Sequence, residues 1–186
     1  KSIFVHGFVN VEGQKISKTV GNVISPEEVV QKYGTDPVRY YFLREFPSHE
    51  DGDFSYRKFE DRYNGDLANG IGNLVARVAA LGEKMGPFSF DFKKDSEKSI
   101  DRACDEIFKR YEEHLGGVRL NEALVDIWKL VSLGDKYINE QKPWEFEGKE
   151  LQKIVVNAAY LIGAVTNLLE PFLPETCEKI REQISF

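Results

Sequence analysis

The stretch LNEALVDIWKLVSLGDKYINEQ, residues 120–141, decides the fold. Its apolar residues Leu120, Ala123, Leu124, Ile127, Leu130, Val131, Tyr137 and Ile138 fall at three- and four-residue steps, the period of one helical face. Pro143 stops that helix, because proline offers no N–H and clashes with the preceding turn. The same grammar repeats on either side. Downstream, Leu151–Leu169 is apolar nearly all round, which predicts a central helix ending before Pro171, and a short last helix starts at Pro174. Upstream, Ser96 to about Leu115 reads as a helix closed by Gly116-Gly117. Before it, Ser55 can cap a helix running to Leu81, with Phe59, Tyr63, Leu67, Ile71, Leu74, Val78 and Leu81 on one face. Gly65, Gly70 and Gly72 weaken that helix and predict a kink or the close approach of another helix. Gly86-Pro87 ends it, and Phe88–Lys94 reads as irregular, with Phe88, Phe90 and Phe92 covering an edge of the core. Together these segments predict a mainly α chain, built as an antiparallel bundle of four or five helices.

The bundle is preceded by a small αβ segment. Ile3–Val11 reads as a strand and Val11-Glu12-Gly13-Gln14 as a turn. Lys15-Ile16-Ser17-Lys18-Thr19 follows, placing two ammonium groups and two hydroxyls between Gly13 and Gly21. Such a loop suits phosphate, since lysine is a compact point charge on a long stem and turn N–H groups add short donors. A solvated polar turn is the plainer alternative. Ser25-Pro26-Glu27-Glu28 carries three helix-start signals: a capping serine, proline in the first turn, and a capping-box acid at Glu28. Gly34 ends this helix in a left-handed conformation, and Asp36-Pro37 starts a second, aromatic-rich one, Val38–Phe46, stopped by Pro47. His49–Phe54 reads as a polar connector. The division expected is residues 1–50 for the loop and its two helices, and 51–186 for the bundle.

Composition narrows the function. Of the 186 residues, 41% are hydrophobic and 30% charged, ordinary for a globular protein. No run of 18 apolar residues occurs, so no membrane span is expected; the location expected is cytoplasmic. The formal net charge of −6 argues against a nonspecific nucleic-acid coat but leaves room for a local site. Cys104 and Cys177 lack zinc-ligand spacing, so no metal site is expected and a reducing compartment fits.

Lys15-Ile16-Ser17-Lys18-Thr19 resembles the Lys-Met-Ser-Lys-Ser signature of class I aminoacyl-tRNA synthetases. Gly21-Asn22-Val23-Ile24, Pro26, and Tyr33-Gly34 with Asp36, Arg39, Tyr40 and Tyr41 continue the likeness. Asp51-Gly52-Asp53-Phe54-Ser55, then Phe59, Arg62, Asn64, Asp66-Leu67, Gly72-Asn73-Leu74 and Arg77, resemble the methionyl-tRNA synthetase family in particular. So does Asn139-Glu140 followed by Lys142-Pro143-Trp144. The similarity covers nearly the whole chain. Ile16 and Thr19 depart from the signature; one keeps an apolar anchor and the other a hydroxyl.

The resemblance implies a portion of a methionine–tRNA ligase. The parent enzyme would use ATP, with Mg2+, to form methionyl-adenylate and then charge tRNA. Lys15, Ile16, Ser17, Lys18 and Thr19 would be its ATP loop, with Lys15 and Lys18 stabilising charge on the departing pyrophosphate. The bundle would be the anticodon-binding domain of class I synthetases, reading the anticodon stem-loop of methionine tRNA through Asn73, Arg77 and Trp144. Asn73 and Arg77 are four apart and share a helix face, and an indole after a helix-ending proline can stack on an unpaired base. Taken singly, Asn73 would be a polar interface residue, Arg77 a surface or ion-pair residue, and Trp144, like Trp128, a core plug. The family's upstream nucleotide-binding half, with its His-Ile-Gly-His motif and methionine pocket, is not in this sequence. The chain by itself is therefore expected to bind no ATP firmly and to form no adenylate. Two rivals stay open: a helical protein-interaction module, and a portion of a sibling synthetase for another aliphatic amino acid.

Overall fold

A computed structural model describes residues 3–17, 19, 21–85 and 96–184. The expectations on Lys18, Gly86-Pro87 and Phe88–Lys94 lie outside the described residues.

The chain opens with a small sheet. β1 (Val9–Val11) is its middle strand, antiparallel to β2 (Gln14–Lys15) and parallel to β3 (Gly52–Phe54). Glu12 and Gly13 join β1 to β2 with φ of 50° and 74°, the left-handed pair that a two-residue hairpin needs to match strand twist. The strand expected over Ile3–Val11 is thus shorter. Residues 3–8 run ahead of the ladder, with Ile3, Val5 and Phe8 exposed. The expected polar connector holds β3 instead. It is anchored where Gly52 N–H donates to the Phe8 carbonyl (2.8 Å) and Asp51 accepts from Phe8 N–H (2.7 Å). A three-residue strand is too short for an alternating pattern, which is why it reads as a loop.

α1 (Pro26–Tyr33) starts where expected, Ser25 Oγ accepting from Glu28 N–H at 3.4 Å. The serine hydroxyl in turn donates to Glu27 (2.8 Å), so the acid beside the cap is Glu27, not Glu28. Gly34 has φ 90° and ψ 166°, a glycine-only region outside the left-handed helix, and its N–H still closes α1 on Val30. α2 (Thr35–Glu45) follows immediately. Its adjacent tyrosines diverge. Tyr41 joins Val11, Val29, Phe54 and Phe59 in a small frontal core, whereas Tyr40 belongs to the core of the bundle.

Ser55 caps α3 (Tyr56–Arg62), accepting from Lys58 N–H at 3.2 Å. The rod continues through a π-helical stretch, Tyr63–Gly72, into α4 (Asn73–Gly82). The glycine cluster therefore marks a change of winding. A Cβ on Gly72 would lie 2.9 Å from the Leu67 carbonyl oxygen, five residues back, where the π-type turn brings it. At Gly70 a Cβ would meet the Gly65 carbonyl at 3.3 Å and the Trp128 indole at 3.5 Å, so the cluster also admits a neighbouring helix.

α5 (Lys98–Gly116), α6 (Leu120–Gln141), α7 (Gly148–Leu169) and α8 (Pro174–Gln183) complete the bundle. α6 packs against both α5 and α7. Gly134 of α6 lies where α4 and α7 converge: a Cβ there would come within 2.6 Å of Leu74 and 2.9 Å of Leu161. α7 alone is long and apolar enough, by composition, to cross a membrane among the described residues, although no 18-residue run is wholly apolar. Most of its apolar surface is buried in the fold, Val155, Ile162, Val165 and Leu169 wholly so. A helix apolar all round at the centre of a bundle is the expected outcome. Trp128 is half-buried and packs on this core, its ring 4.7 Å from that of Tyr40.

Polar side chains tie the frontal segment to the bundle. Asp36, buried in α2, accepts from Thr176 N–H (2.6 Å), capping the first turn of α8 from another helix. Arg39 donates to the carbonyls of Phe172 (3.0 Å) and Pro171 (2.9 Å). Tyr40 donates to Asp66 (2.6 Å) on the π-helical stretch, and burial pushes its phenol far above the ordinary range, with Asp66 adding to the shift.

Candidate functional site

The first candidate is the lysine loop. Lys15 closes β2 and is exposed, its Nζ 5.7 Å from the centre of the Phe8 ring. Asn22 then acts as a side-chain strand. Its carboxamide oxygen accepts from Ser17 N–H (2.8 Å) and its Nδ2 donates to the Lys15 carbonyl (3.1 Å). Gly21, with φ 76°, sends its N–H back to the Ser17 carbonyl (3.1 Å). Asp53 of β3 accepts from Gly13 N–H (2.7 Å), tying the hairpin tip to the sheet. Ile16 is 41% exposed at the rim of an apolar pocket of about 260 Å³, which Val11, Val29, Phe42 and Phe54 also line. Thr19 is exposed and Ser17 half-buried. The loop thus offers a cation and hydroxyls on a backbone pinned at 15, 17 and 22. No carboxylate lies within it, so it suits phosphate oxygens rather than a metal ion.

The second candidate lies on the bundle. Asn73 is the first residue of α4, exposed, and Arg77 is one turn later, half-buried. They flank Leu74 and Val78, which are wholly buried. Arg77 reaches α6: Nη2 donates to Asn139 Oδ1 (2.7 Å) and Nη1 to Asp135 Oδ1 (3.4 Å). Burial pushes the Asp135 carboxyl up, and the Arg77 guanidinium opposes this. Arg77 is accordingly an ion-pair residue whatever else it does.

Trp144 follows the end of α6. Lys142 adopts a left-handed conformation (φ 45°, ψ 58°), its N–H closing on Ile138, and Pro143 is buried. Pro143–Glu145 forms a 3-10 turn that leaves Trp144 60% exposed, with Phe146 42% exposed two residues on. Trp144 is therefore not the core plug that Trp128 approximates. The structure joins Arg77 to the last turns of α6, the helix that runs into the Trp144 turn. Lys15 and its loop sit apart, on the frontal sheet.

Sequence reasoning missed Asn22, Asp135 and Asn139 as supporting residues. Asn22 follows a turn glycine, where an amide side chain readily replaces backbone partners. Asp135 and Asn139 are four apart on α6 and so share the face turned to α4.

Residues 1–79 match the family model of class I tRNA synthetases (M), and residues 97–185 that of the anticodon-binding domain of tRNA ligase. The methionine–tRNA ligase of Caldanaerobacter subterraneus subsp. tengcongensis is 38% identical over 99% of this chain and 30% of its own length. That of Clostridium acetobutylicum is 38% identical over 100% of the chain and 30% of the ligase. Among solved structures, Mycobacterium tuberculosis methionyl-tRNA synthetase in complex with methionyl-adenylate superposes with a TM-score of 0.81 at 30% identity. That superposition covers 95% of this chain and 37% of the synthetase. The chain thus spans about 30% of the length of the curated relatives it matches.

Proposed function

The chain belongs to the methionyl-tRNA synthetase family of class I, and from that premise we propose that it is the portion of a methionine–tRNA ligase that binds the tRNA anticodon and supplies the ATP-phosphate loop. Residues 51–186 carry the anticodon-binding bundle, with β3 and Phe59 at their start packed into the frontal core, and residues 1–50 act as the end of the catalytic region. Asn73, Arg77 and Trp144 contact the anticodon loop of methionine tRNA. The amide and guanidinium offer donors and acceptors to base edges, and the indole offers a stacking face. The observation that carries this is the exposure of Trp144: a large indole held 60% in solvent by a buried proline and a left-handed lysine. A core residue would not be exposed so, and stacking on an unpaired base is what such an indole does well.

Lys15, Ser17 and Thr19, with Ile16 as apolar anchor, hold the triphosphate of ATP, and Lys15 offsets negative charge as pyrophosphate departs. Lys18 has the same role by resemblance. Mg2+ would be carried by the phosphates, since the loop has no carboxylate to bind it. By itself the chain forms no methionyl-adenylate, because methionine and most ATP contacts come from the longer ligase, a cytoplasmic enzyme. ATP–pyrophosphate exchange by the isolated chain at a measurable rate would sink that statement.

Titration of the chain with the anticodon stem-loop of methionine tRNA, against one with a mismatched anticodon, tests the anticodon reading. Trp144→Ala is expected to weaken cognate binding about 5- to 150-fold, the loss of one stacked base, with helicity unchanged. Equal affinity of the variant and the wild type removes Trp144 from the interface.

A further inference from the structure

We propose that Asp135 and Asn139 are positioning residues, a two-point cradle on α6 that fixes the Arg77 guanidinium before RNA arrives; this rests on the anticodon role proposed for Arg77. The contacts differ in kind. Asn139 gives a short bond to Nη2 (2.7 Å), and Asp135 a longer, charged contact to Nη1 (3.4 Å). The Arg77 and Asp135 side chains are exposed to a similar degree, 29% and 30%, so the pair sits at the edge of solvent rather than within the core. Neither contact exhausts the guanidinium. It has five N–H donors, and these two bonds leave donors free for a base or phosphate.

A free arginine samples many rotamers, and ordering such a side chain at an interface takes free energy from binding. The cradle meets that cost within the free protein, because α4 and α6 are already packed together around Gly134. Its geometry also sets direction. Asp135 and Asn139 lie one turn apart on α6, so the two ends of the guanidinium are held along that helix. A base whose edge fits the remaining donors is favoured, and one that needs Arg77 elsewhere must first break both contacts. Fixed donors of this kind add discrimination more than bulk affinity.

The test uses the whole chain with cognate and mismatched anticodon stem-loops. Asn139→Ala and Asp135→Ala are each expected to weaken cognate binding about two- to tenfold and leave mismatched binding unchanged. Asn139→Asp keeps an acceptor for Nη2 and should retain discrimination. In an Arg77→Ala background, Asn139→Ala should have no further effect, since a residue that acts only through Arg77 has nothing left to position. Circular dichroism and melting confirm that each variant is folded. Retained discrimination in both alanine variants, or additive losses in the Arg77→Ala background, overturns the positioning role while leaving the anticodon reading standing. Equal wild-type affinity for both stem-loops overturns the anticodon reading and the cradle with it.

Discussion

Tyr40 and Tyr41 are neighbours on α2, yet each belongs to a different core. Tyr41 faces the frontal core, where rings dominate: Phe42, Phe46, Phe54 and Phe59 all lie within 6 Å of it, centre to centre. Tyr40 faces the bundle, where aliphatic side chains of α4, α6, α7 and α8 interdigitate. The frontal sheet has strands of two or three residues, and its loop is held by side-chain-to-backbone bonds, two from Asn22 and one from Asp53. The bundle rests on helices of up to 22 residues. The two candidate sites therefore stand on unequal support. Arg77 and Trp144 are attached to the most deeply packed elements, whereas Lys15 hangs on a hairpin that a few polar contacts shape. Local opening takes less free energy where fewer apolar contacts must be broken.

The largest effect should come from the bundle. Leu124→Ala, at a wholly buried position on α6, is expected to cost about 2–5 kcal/mol through lost transfer energy and the cavity left behind, read from denaturant midpoints. A loss below 1 kcal/mol would erase the contrast between the two cores. Next is the hinge between them. Tyr40→Phe removes a part-buried 2.6 Å bond to Asp66, whose carboxylate keeps Arg62 at 3.2 Å. About 1–2 kcal/mol should be lost. Because α2 serves both cores, amide exchange should speed up in α1 and β3 as well as in the bundle. Acceleration confined to the bundle would show that the cores open independently. The smallest effect is expected at the loop. Asn22→Ala should alter global stability by no more than about 0.5 kcal/mol, yet release Ser17 N–H to fast exchange. A large drop in melting temperature would mean that the loop supports the frontal core.

The helices were legible because their signals are local. Ser25, Ser55, Pro143 and Pro174 mark ends that the structure places within a few residues of expectation. The heptad-like stripe of residues 120–141 needed nothing but its own spacing. β3 was not legible, because Gly52–Phe54 becomes a strand only when β1 lies beside it, each partner 43 residues earlier in sequence. The π-helical stretch was half legible. Gly65, Gly70 and Gly72 signalled something unusual, but only the Leu67 carbonyl beside Gly72 and the indole of Trp128 beside Gly70 say what. Of the candidate site residues, Asn73, Arg77 and Trp144 could be named from motif and spacing. The partners of Arg77 could not, since which face of α6 meets α4 depends on how the bundle closes.

By itself, the sequence determined the helices, their order, the amphipathic faces and the family, since each rests on capping, periodicity or motif within a short span. Tertiary structure alone decided that α2 serves two cores, that Asp36 caps α8 from another helix, that Asn22 shapes the lysine loop, and that Arg77 rests on Asp135 and Asn139. Each of these joins residues distant in sequence or on separate turns. No local pattern encodes such a contact, because it exists only once buried surfaces have chosen their partners.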